Sequence, residues 1–127
     1  MFTIRKSFRF EAAHRISGLP ADHKCGRLHG HSYTVEVVVS SPDLVPPGFV
    51  VDFADLAPLG EYLAATFDHR DLTEVLDVAP TSENLAWFLY EWCQENLPLP
   101  VTVQLRAVRV GETASTYAEY APAEGRS

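Results

Sequence analysis

The sequence predicts an α+β fold in which a four-stranded antiparallel sheet is covered by two helices on one face. Two observations carry this prediction. Apolar and polar residues alternate with a period of two near both ends of the chain, whereas helical spacing is confined to the middle. The predicted order is therefore strand, strand, helix, helix, strand, strand. Since valine and aromatic positions occur on both faces of the strands, we expect the sheet to join copies of itself in a ring that removes its free edges.

Length and composition indicate one globular domain. The chain has 127 residues, of which 46% are hydrophobic and 21% are charged. We expect a single domain over residues 1–121 and a polar, flexible tail over residues 122–127. The net charge of −7 argues against a nucleic-acid or anionic-membrane partner, but it allows a local basic pocket for a phosphorylated small molecule.

The lack of a recognisable targeting signal and the settings of the two cysteines favour a reducing compartment. The N-terminal residues enter a strand pattern directly, without a signal peptide or a run of eighteen apolar residues. The two cysteines, Cys25 and Cys93, lie in unlike settings, so we expect both to be free thiols. A cytoplasmic location is therefore predicted.

The first two strands are predicted from alternation. Over residues 2–14 the even-numbered positions are mostly apolar and their neighbours are mostly polar, which is typical of a half-buried strand. Residues 15–28 contain glycine, proline and several charges, and they predict a functional loop. The alternation returns over residues 29–40. Two such strands joined by one loop are expected to pair as a long hairpin.

The helices are predicted from spacing and from their end signals. Asp52 indicates the start of the first helix, and Pro58 separates a first turn from the main part of the helix. Proline is tolerated there because an N–H in the first turn of a helix has no intrahelical hydrogen-bond partner. The second helix is expected to begin after Pro80, with Thr81 or Ser82 as its cap.

The remaining segments are connectors and strands. Residues 41–48 are rich in proline and predict a connector, followed by a short extended piece at residues 49–51. A third strand is predicted over residues 101–110 and a fourth over residues 116–121.

Three histidines are placed to share a metal ion. Residues two apart on a strand point to the same face, so His29 and His31 can bind one ion together, and His14 lies in phase with the apolar face of the first strand. Three imidazoles without a fourth protein ligand form the open geometry of catalytic zinc. Cys25 is then a candidate base or nucleophile rather than a ligand. The alternatives are that these histidines only satisfy local hydrogen bonds, or that His23 is a rival ligand.

Several short motifs occur in one order along most of the chain. They are FEAAH at 10–14, HKCGRLHGH at 23–31, VDFADL at 51–56, DH at 68–69, PTSEN at 80–84 and ET at 112–113. With these motifs the chain resembles the family of 6-pyruvoyl-tetrahydropterin synthase and its bacterial relative, 6-carboxy-tetrahydropterin synthase of queuosine biosynthesis. The bacterial branch matches better around Cys25 and Pro80, whereas residues 114–120 depart most from its pattern.

The resemblance implies a tunnelling fold, a barrel built by trimers that usually stack into hexamers, with active sites between subunits. It implies a zinc enzyme that acts on 7,8-dihydroneopterin triphosphate. The bacterial branch forms 6-carboxy-5,6,7,8-tetrahydropterin, acetaldehyde and triphosphate, and the alternative branch forms 6-pyruvoyl-tetrahydropterin and triphosphate. Two non-enzymatic alternatives are a pteridine- or zinc-binding scaffold that has lost catalysis and a structural zinc domain.

The resemblance also assigns roles to the candidate residues. His14, His29 and His31 match the zinc ligands, and Cys25 matches the catalytic base. Cys25 lies in a polar loop beside two basic residues and the expected cation, all of which favour the thiolate. Cys93, on the apolar stripe of the second helix, instead fits the usual role of a small buried hydrophobic residue.

Three further site residues follow from the resemblance. Asp68 and His69 match a pair that relays protons with the cysteine; the alternative is a histidine favoured by a helix C-terminus. Glu112 matches the residue that anchors the pterin, since a carboxylate can accept both the N3–H and the 2-amino group. Its alternative is a solvated glutamate at a strand end. Candidates for binding the triphosphate, which are equally consistent with surface charges, are His23, Lys24, Arg27, Arg9 and Arg15.

Overall fold

A computed structural model describes residues 1–123. The regular elements are β1 (Phe2–His14), β2 (His29–Ser41), α1 (Ala57–Thr66), β3 (Arg70–Asp71), α2 (Leu72–Val75), α3 (Ser82–Asn96), β4 (Gln104–Gly111) and β5 (Tyr117–Tyr120), with short 3-10 turns at Lys24–Gly26 and Phe53–Leu56. Among the described residues, no helix combines the length and apolar character needed to cross a membrane. Most of the predicted tail, residues 124–127, lies outside the described residues.

The strands form one five-stranded sheet in the order β3-β1-β2-β4-β5. The α+β class is confirmed, but the expectation of four antiparallel strands was wrong, because β3 adds a parallel pairing opposite Ala12 and Ala13 of β1. A two-residue strand is too short to show alternation in the sequence. The short helix α2 follows it directly and is capped by Asp71, whose carboxylate accepts the Thr73 N–H at 2.9 Å.

The predicted long hairpin of β1 and β2 is confirmed. The two strands pair in continuous antiparallel register from Phe2 opposite Ser41 to His14 opposite His29. His31 lies opposite Ala12 on the neighbouring strand. Because side chains alternate between faces, this register brings all three histidines to one face at one end of the hairpin.

One face of the sheet carries the hydrophobic core, and both long helices contribute to it. Tyr33 and Val35 of β2 join the same buried cluster as Leu63 of α1 and Leu89 of α3. The opposite face is charged, with Arg109 hydrogen-bonded to Glu119 at 2.6 Å and 3.9 Å from Glu36. The face on which α1 and α3 pack also holds the histidines.

The predicted helix starts are confirmed in detail. The Asp52 carboxylate caps the 3-10 turn that precedes α1, and Pro58 lies in the first turn of α1. Thr81 caps α3 by accepting the Asn84 N–H at 3.1 Å, which selects Thr81 over Ser82 as the cap.

Strand boundaries differ more from the prediction. β4 begins at Gln104 rather than residue 101, because Val101 is fully exposed in a turn closed by a hydrogen bond from Val103 N–H to the Pro100 carbonyl. The predicted extended piece at residues 49–51 forms only an isolated bridge between Phe49 and Val45. β5 is also shorter than predicted, at four residues.

Candidate active site

Three histidine side chains meet at the end of the β1–β2 hairpin. The Nε2 atom of His14 lies 3.0 Å from Nε2 of His29 and 3.1 Å from Nε2 of His31. One ligand atom from each of the three lies within 4.8 Å of the other two. His14 is buried, whereas His29 and His31 are half-buried, so the cluster is partly accessible from solvent.

The outer ring nitrogens define the tautomers. Nδ1 of His14 donates to the Pro80 carbonyl at 2.7 Å, and Nδ1 of His29 donates to the Arg27 carbonyl at 2.6 Å. Since a carbonyl only accepts, the proton of each neutral ring resides on Nδ1, and Nε2 of that ring is then the atom with a lone pair. Such a backbone carbonyl on the outer nitrogen is the usual second shell of a metal-binding histidine.

The donor set fits a divalent metal ion such as zinc. Lone pairs facing one another at 3.0 Å repel unless a cation or a proton lies between them. Zinc bound by imidazole at about 2.0–2.1 Å in tetrahedral geometry places neighbouring nitrogens about 3.3 Å apart, close to what is observed. Three protein nitrogens leave one coordination position for water or substrate.

The electrostatics of His31 favour the neutral, ligand form. Burial lowers the pKa of His31 most strongly, Glu112 opposes this by raising it, and the nearby rings of His14 and His29 lower it further. The net direction is downward. A neutral imidazole is the form that binds a metal ion.

Tyr33 completes the buried side of the cluster. Its hydroxyl lies 3.0 Å from Nδ1 of His14, and its ring stacks on Phe10 at 4.9 Å between centroids. Burial raises the pKa of Tyr33, and Glu112 raises it further, so the phenol stays neutral. Tyr33 is not among the site residues predicted from the sequence, although its position two residues after His31 on the same face was the available signal.

Glu112 lies beside the cluster, directly after β4. Its Oε2 is 3.7 Å from Nε2 of His31, and its Oε1 accepts a hydrogen bond from the Ser82 hydroxyl at 2.6 Å. The carboxylate is half-buried between the end of β4 and the start of α3. Glu112 is therefore positioned to bind a ligand that also reaches the histidines.

Cys25 lies in the 3-10 turn of the loop between β1 and β2 and is half-buried. Its N–H donates to Nδ1 of His23 at 3.1 Å, and its carbonyl accepts the Ile16 N–H at 2.9 Å. The loop is thus folded back on the end of β1. In the described part of the chain the ligand cluster comprises only the three histidines, so neither Cys25 nor His23 is a fourth member.

Asp68 and His69 form a pair at the edge of the sheet. Nδ1 of His69 lies 2.9 Å from Asp68 Oδ2, while Asp68 Oδ1 accepts the Glu11 N–H at 2.9 Å. The hydrogen bond from Glu11 lowers the pKa of Asp68, and the bond from His69 lowers it further. The His69 side chain is 78% exposed, so within one chain the pair faces solvent rather than the histidine cluster.

The two groups nevertheless border one open cleft. Both His31 and His69 line a cavity of about 550 Å³, together with Gly30 and Ser32 of β2. The residues considered for the triphosphate are all exposed: Arg9, Arg15, His23, Lys24 and Arg27. Their role stays a prediction.

Comparison with known proteins identifies the family. The family model described as 6-pyruvoyl tetrahydropterin synthase matches residues 3–123. The chain belongs to this family. The resemblance expected from the sequence motifs is thereby confirmed.

Relatives in the 6-pyruvoyl tetrahydropterin synthase family cover nearly the whole chain. The 6-carboxy-5,6,7,8-tetrahydropterin synthase of Synechocystis is 36% identical over 94% of this chain and 93% of its own length. The enzyme of the same name from Bacillus subtilis is 33% identical over 98% of this chain and 88% of its own.

A solved structure confirms the fold. The 6-pyruvoyl tetrahydropterin synthase of Caenorhabditis elegans superposes with a TM-score of 0.81 at 27% identity and covers 96% of both chains. The family therefore includes relatives named for the carboxy product and relatives named for the pyruvoyl product, and membership alone does not select between them.

Proposed function

We propose that this protein converts 7,8-dihydroneopterin triphosphate to 6-carboxy-5,6,7,8-tetrahydropterin, acetaldehyde and triphosphate with a zinc ion, as a step of queuosine biosynthesis. The observation that carries the proposal is the convergence of the three histidine Nε2 atoms beside the Glu112 carboxylate. The carboxy product is favoured over the pyruvoyl product because two relatives with 33% and 36% identity are named for it.

The histidines serve as a preformed metal site. Zinc held by His14, His29 and His31 would supply Lewis acidity toward the side-chain hydroxyls of the substrate. The carbonyls of Pro80 and Arg27 keep the rings of two ligands in the Nδ1–H tautomer, so both Nε2 atoms stay directed at one point. The buried position of His14 excludes water from one side of the site.

The other residues act on the organic substrate. Glu112 accepts the N3–H and 2-amino group of the pterin, which holds the ring so that its side chain faces the histidines. Cys25, as a thiolate, moves a proton between carbon and oxygen of the side chain, and His69 assists it with Asp68 fixing its tautomer. Triphosphate then leaves. Water adds to the side-chain carbonyl carbon next to the ring, and cleavage of the bond from that carbon to the next leaves the carboxyl group on the ring and releases the two-carbon fragment as acetaldehyde.

The exposure of His69 supports an active site shared between subunits. A catalytic imidazole that is 78% exposed in one chain lacks the enclosure that proton transfer requires. We propose that a neighbouring copy covers it in a trimer, with two trimers stacking into a hexamer. The outer edge of β1 is paired with β3 only at Ala12 and Ala13, which leaves most of that strand free for a neighbour.

Product analysis tests the proposed function. Zinc-loaded protein incubated with 7,8-dihydroneopterin triphosphate is expected to yield 6-carboxy-tetrahydropterin and acetaldehyde in equal amounts. A three-carbon pyruvoyl product without acetaldehyde would assign the alternative activity, and ligand binding without any turnover would assign the scaffold.

The cysteine variants provide a matched pair for this assay. Cys25→Ala should lower turnover by about 10²–10⁴-fold, the usual contribution of a positioned acid or base, while zinc content and fold persist. Cys93→Ala removes the buried thiol of α3 instead and should retain turnover. Equal rates for Cys25→Ala and the unaltered protein would contradict the role of Cys25.

A further inference from the structure

Ser82 uses its hydroxyl in a way that its position in the chain does not predict. It is the first residue of α3 and follows directly on the helix cap Thr81, whose side chain accepts the Asn84 N–H, so the Ser82 hydroxyl is not needed for capping. The Ser82 hydroxyl instead donates to Oε1 of Glu112, thirty residues further along the chain, at 2.6 Å. This hydrogen bond therefore links the start of α3 to the end of β4.

The hydrogen bond restrains a flexible carboxylate at the edge of the site. A glutamate side chain has three rotatable bonds, and Glu112 is only half-buried. With Oε1 held by Ser82, the other oxygen lies 3.7 Å from Nε2 of His31. Each carboxylate oxygen accepts about two hydrogen bonds, so Glu112 keeps one acceptor position on Oε1 and two on Oε2 for a ligand.

The same short segment also orients the metal ligand His14. The Pro80 carbonyl, two residues before Ser82, accepts the Nδ1–H of His14 at 2.7 Å. The segment from Pro80 to Ser82 thus holds a histidine through its backbone and Glu112 through a side chain. One three-residue piece of chain that leads into α3 therefore contacts both the histidine cluster and the carboxylate.

We propose that Ser82 is a positioning residue that orients the Glu112 carboxylate to accept the N3–H and the 2-amino group of a pterin ring together. This inference rests on the proposed function. A carboxylate oriented before binding loses less rotational freedom when the ligand arrives, which strengthens binding. Orientation of the carboxylate should have its largest effect on the affinity for ligands that offer two parallel donors, since only these ligands need a fixed carboxylate plane.

A pair of ligands isolates this effect. Neopterin presents an N3–H and a 2-amino group, whereas the matching lumazine has an oxygen in place of the amino group and offers one donor at that edge. Ser82→Ala should weaken binding of neopterin to the zinc-loaded protein by about tenfold, equivalent to about 1.4 kcal/mol, and should weaken binding of the lumazine by less than about twofold. Ser82→Thr, which keeps the hydroxyl, should bind both ligands as the unaltered protein does.

Fluorescence titration, zinc content and thermal midpoints measured on the same samples distinguish the outcomes. Equal neopterin affinity in Ser82→Ala and the unaltered protein, with affinity lost in Glu112→Gln, would refute positioning by Ser82 and leave the proposed function intact. An equal loss in Ser82→Thr and Ser82→Ala, or a parallel loss of zinc, would also refute it by indicating a structural effect. If the unaltered protein neither binds neopterin nor turns over the triphosphate, the proposed function fails and this inference fails with it.

Discussion

His14 shows how a single side chain acquires its chemistry from its surroundings. It is only 2% exposed, with the Pro80 carbonyl and the Tyr33 hydroxyl at Nδ1 and two imidazoles at Nε2. The phase of the first strand predicts that His14 faces the core. Its tautomer depends on Pro80, 66 residues away in the chain, and no local pattern places that carbonyl there.

Removal of zinc should distinguish a catalytic role of the metal site from a structural role. The hydrophobic core is built from both helices and the sheet, so chelation is expected to abolish turnover while the far-ultraviolet circular dichroism stays unchanged. The free energy of unfolding of the zinc-free protein should be about 3 kcal/mol lower than that of the protein at a free zinc concentration of about 100 times the Kd. Any ligand that binds only the folded state has this effect. Cooperative unfolding on chelation at 25 °C would instead indicate a structural zinc domain.

The two cysteines should differ sharply in reactivity. Burial raises the pKa of the Cys93 thiol to about 12, whereas Cys25 is half-buried in a loop. At pH 8 a disulfide reagent is therefore expected to label one thiol per chain rapidly, and Cys25→Ala should remove this fast phase. Labelling of Cys93→Ala at the rate of the unaltered protein is the control, and rapid labelling of both thiols in the folded protein would contradict the prediction.

The same shift sets a pH dependence of stability. In the unfolded chain a cysteine ionises near pH 8.5, whereas folded Cys93 keeps its proton up to about pH 12. The folded state therefore binds more protons between these values, and stability should decrease as pH rises above about 8.5 but not below it. Denaturant unfolding from pH 7 to pH 10 measures this slope, which Cys93→Ala should reduce.

At the scale of elements, the packing of α1 on β1 depends on a glycine. Gly60 lies within α1, and a Cβ atom there would lie 2.7 Å from Cδ1 of the Phe8 ring. A glycine inside a helix costs about 1 kcal/mol relative to alanine, so its presence needs a packing reason. The close approach of the Phe8 ring provides that reason.

Gly60→Ala should therefore lower the free energy of unfolding despite its gain in helix propensity. Overpacking typically costs about 1–3 kcal/mol, which exceeds the gain of about 1 kcal/mol, and we expect a net loss of about 1 kcal/mol in urea unfolding. Adding Phe8→Leu to Gly60→Ala should recover part of this loss. Ala64→Gly, at an exposed position of α1, measures helix propensity alone and serves as the control. A stabilised Gly60→Ala variant would show that the helix shifts freely.

At the scale of the whole molecule, one chain holds the parts of the site in two places. The histidines, Glu112 and Ser82 meet on the helix-covered side, whereas the Asp68–His69 pair faces solvent at the edge of the sheet. Exposed apolar side chains also surround the free edges, including Phe2 of β1 and Tyr117 of β5. Both features favour an assembly in which copies of the chain complete one another.

Mixing two inactive variants tests this arrangement. If Cys25 and His69 of one active site come from different subunits, Cys25→Ala and His69→Ala chains that are mixed and reassembled should regain a fraction of the turnover, because some hybrid sites contain both residues. Light scattering should report three or six times the 14.1 kDa chain mass. Full activity from a 14.1 kDa monomer would contradict a shared site, and absence of recovery in a confirmed hybrid oligomer would place both residues in one subunit.

Periodicity and motifs were sufficient for much of this protein. The two-residue alternation specifies β1 and β2, and with them the face shared by His14, His29 and His31, because a strand has only two faces and burial selects one. Helix starts at Asp52 and Thr81 followed from local capping chemistry, since a cap is satisfied within a few residues. The family followed from motif order.

What folding added is contact between segments distant in sequence. The two-residue strand β3, the Pro80 carbonyl on His14 and the Ser82 hydroxyl on Glu112 are each pairings across 30 residues or more. No local periodicity encodes such pairings, because they arise when α3, β1 and β4 pack around a common core and carry their ends to the same place. The residues of the candidate site could therefore be predicted from the sequence, whereas the orientation of their side chains depends on that packing.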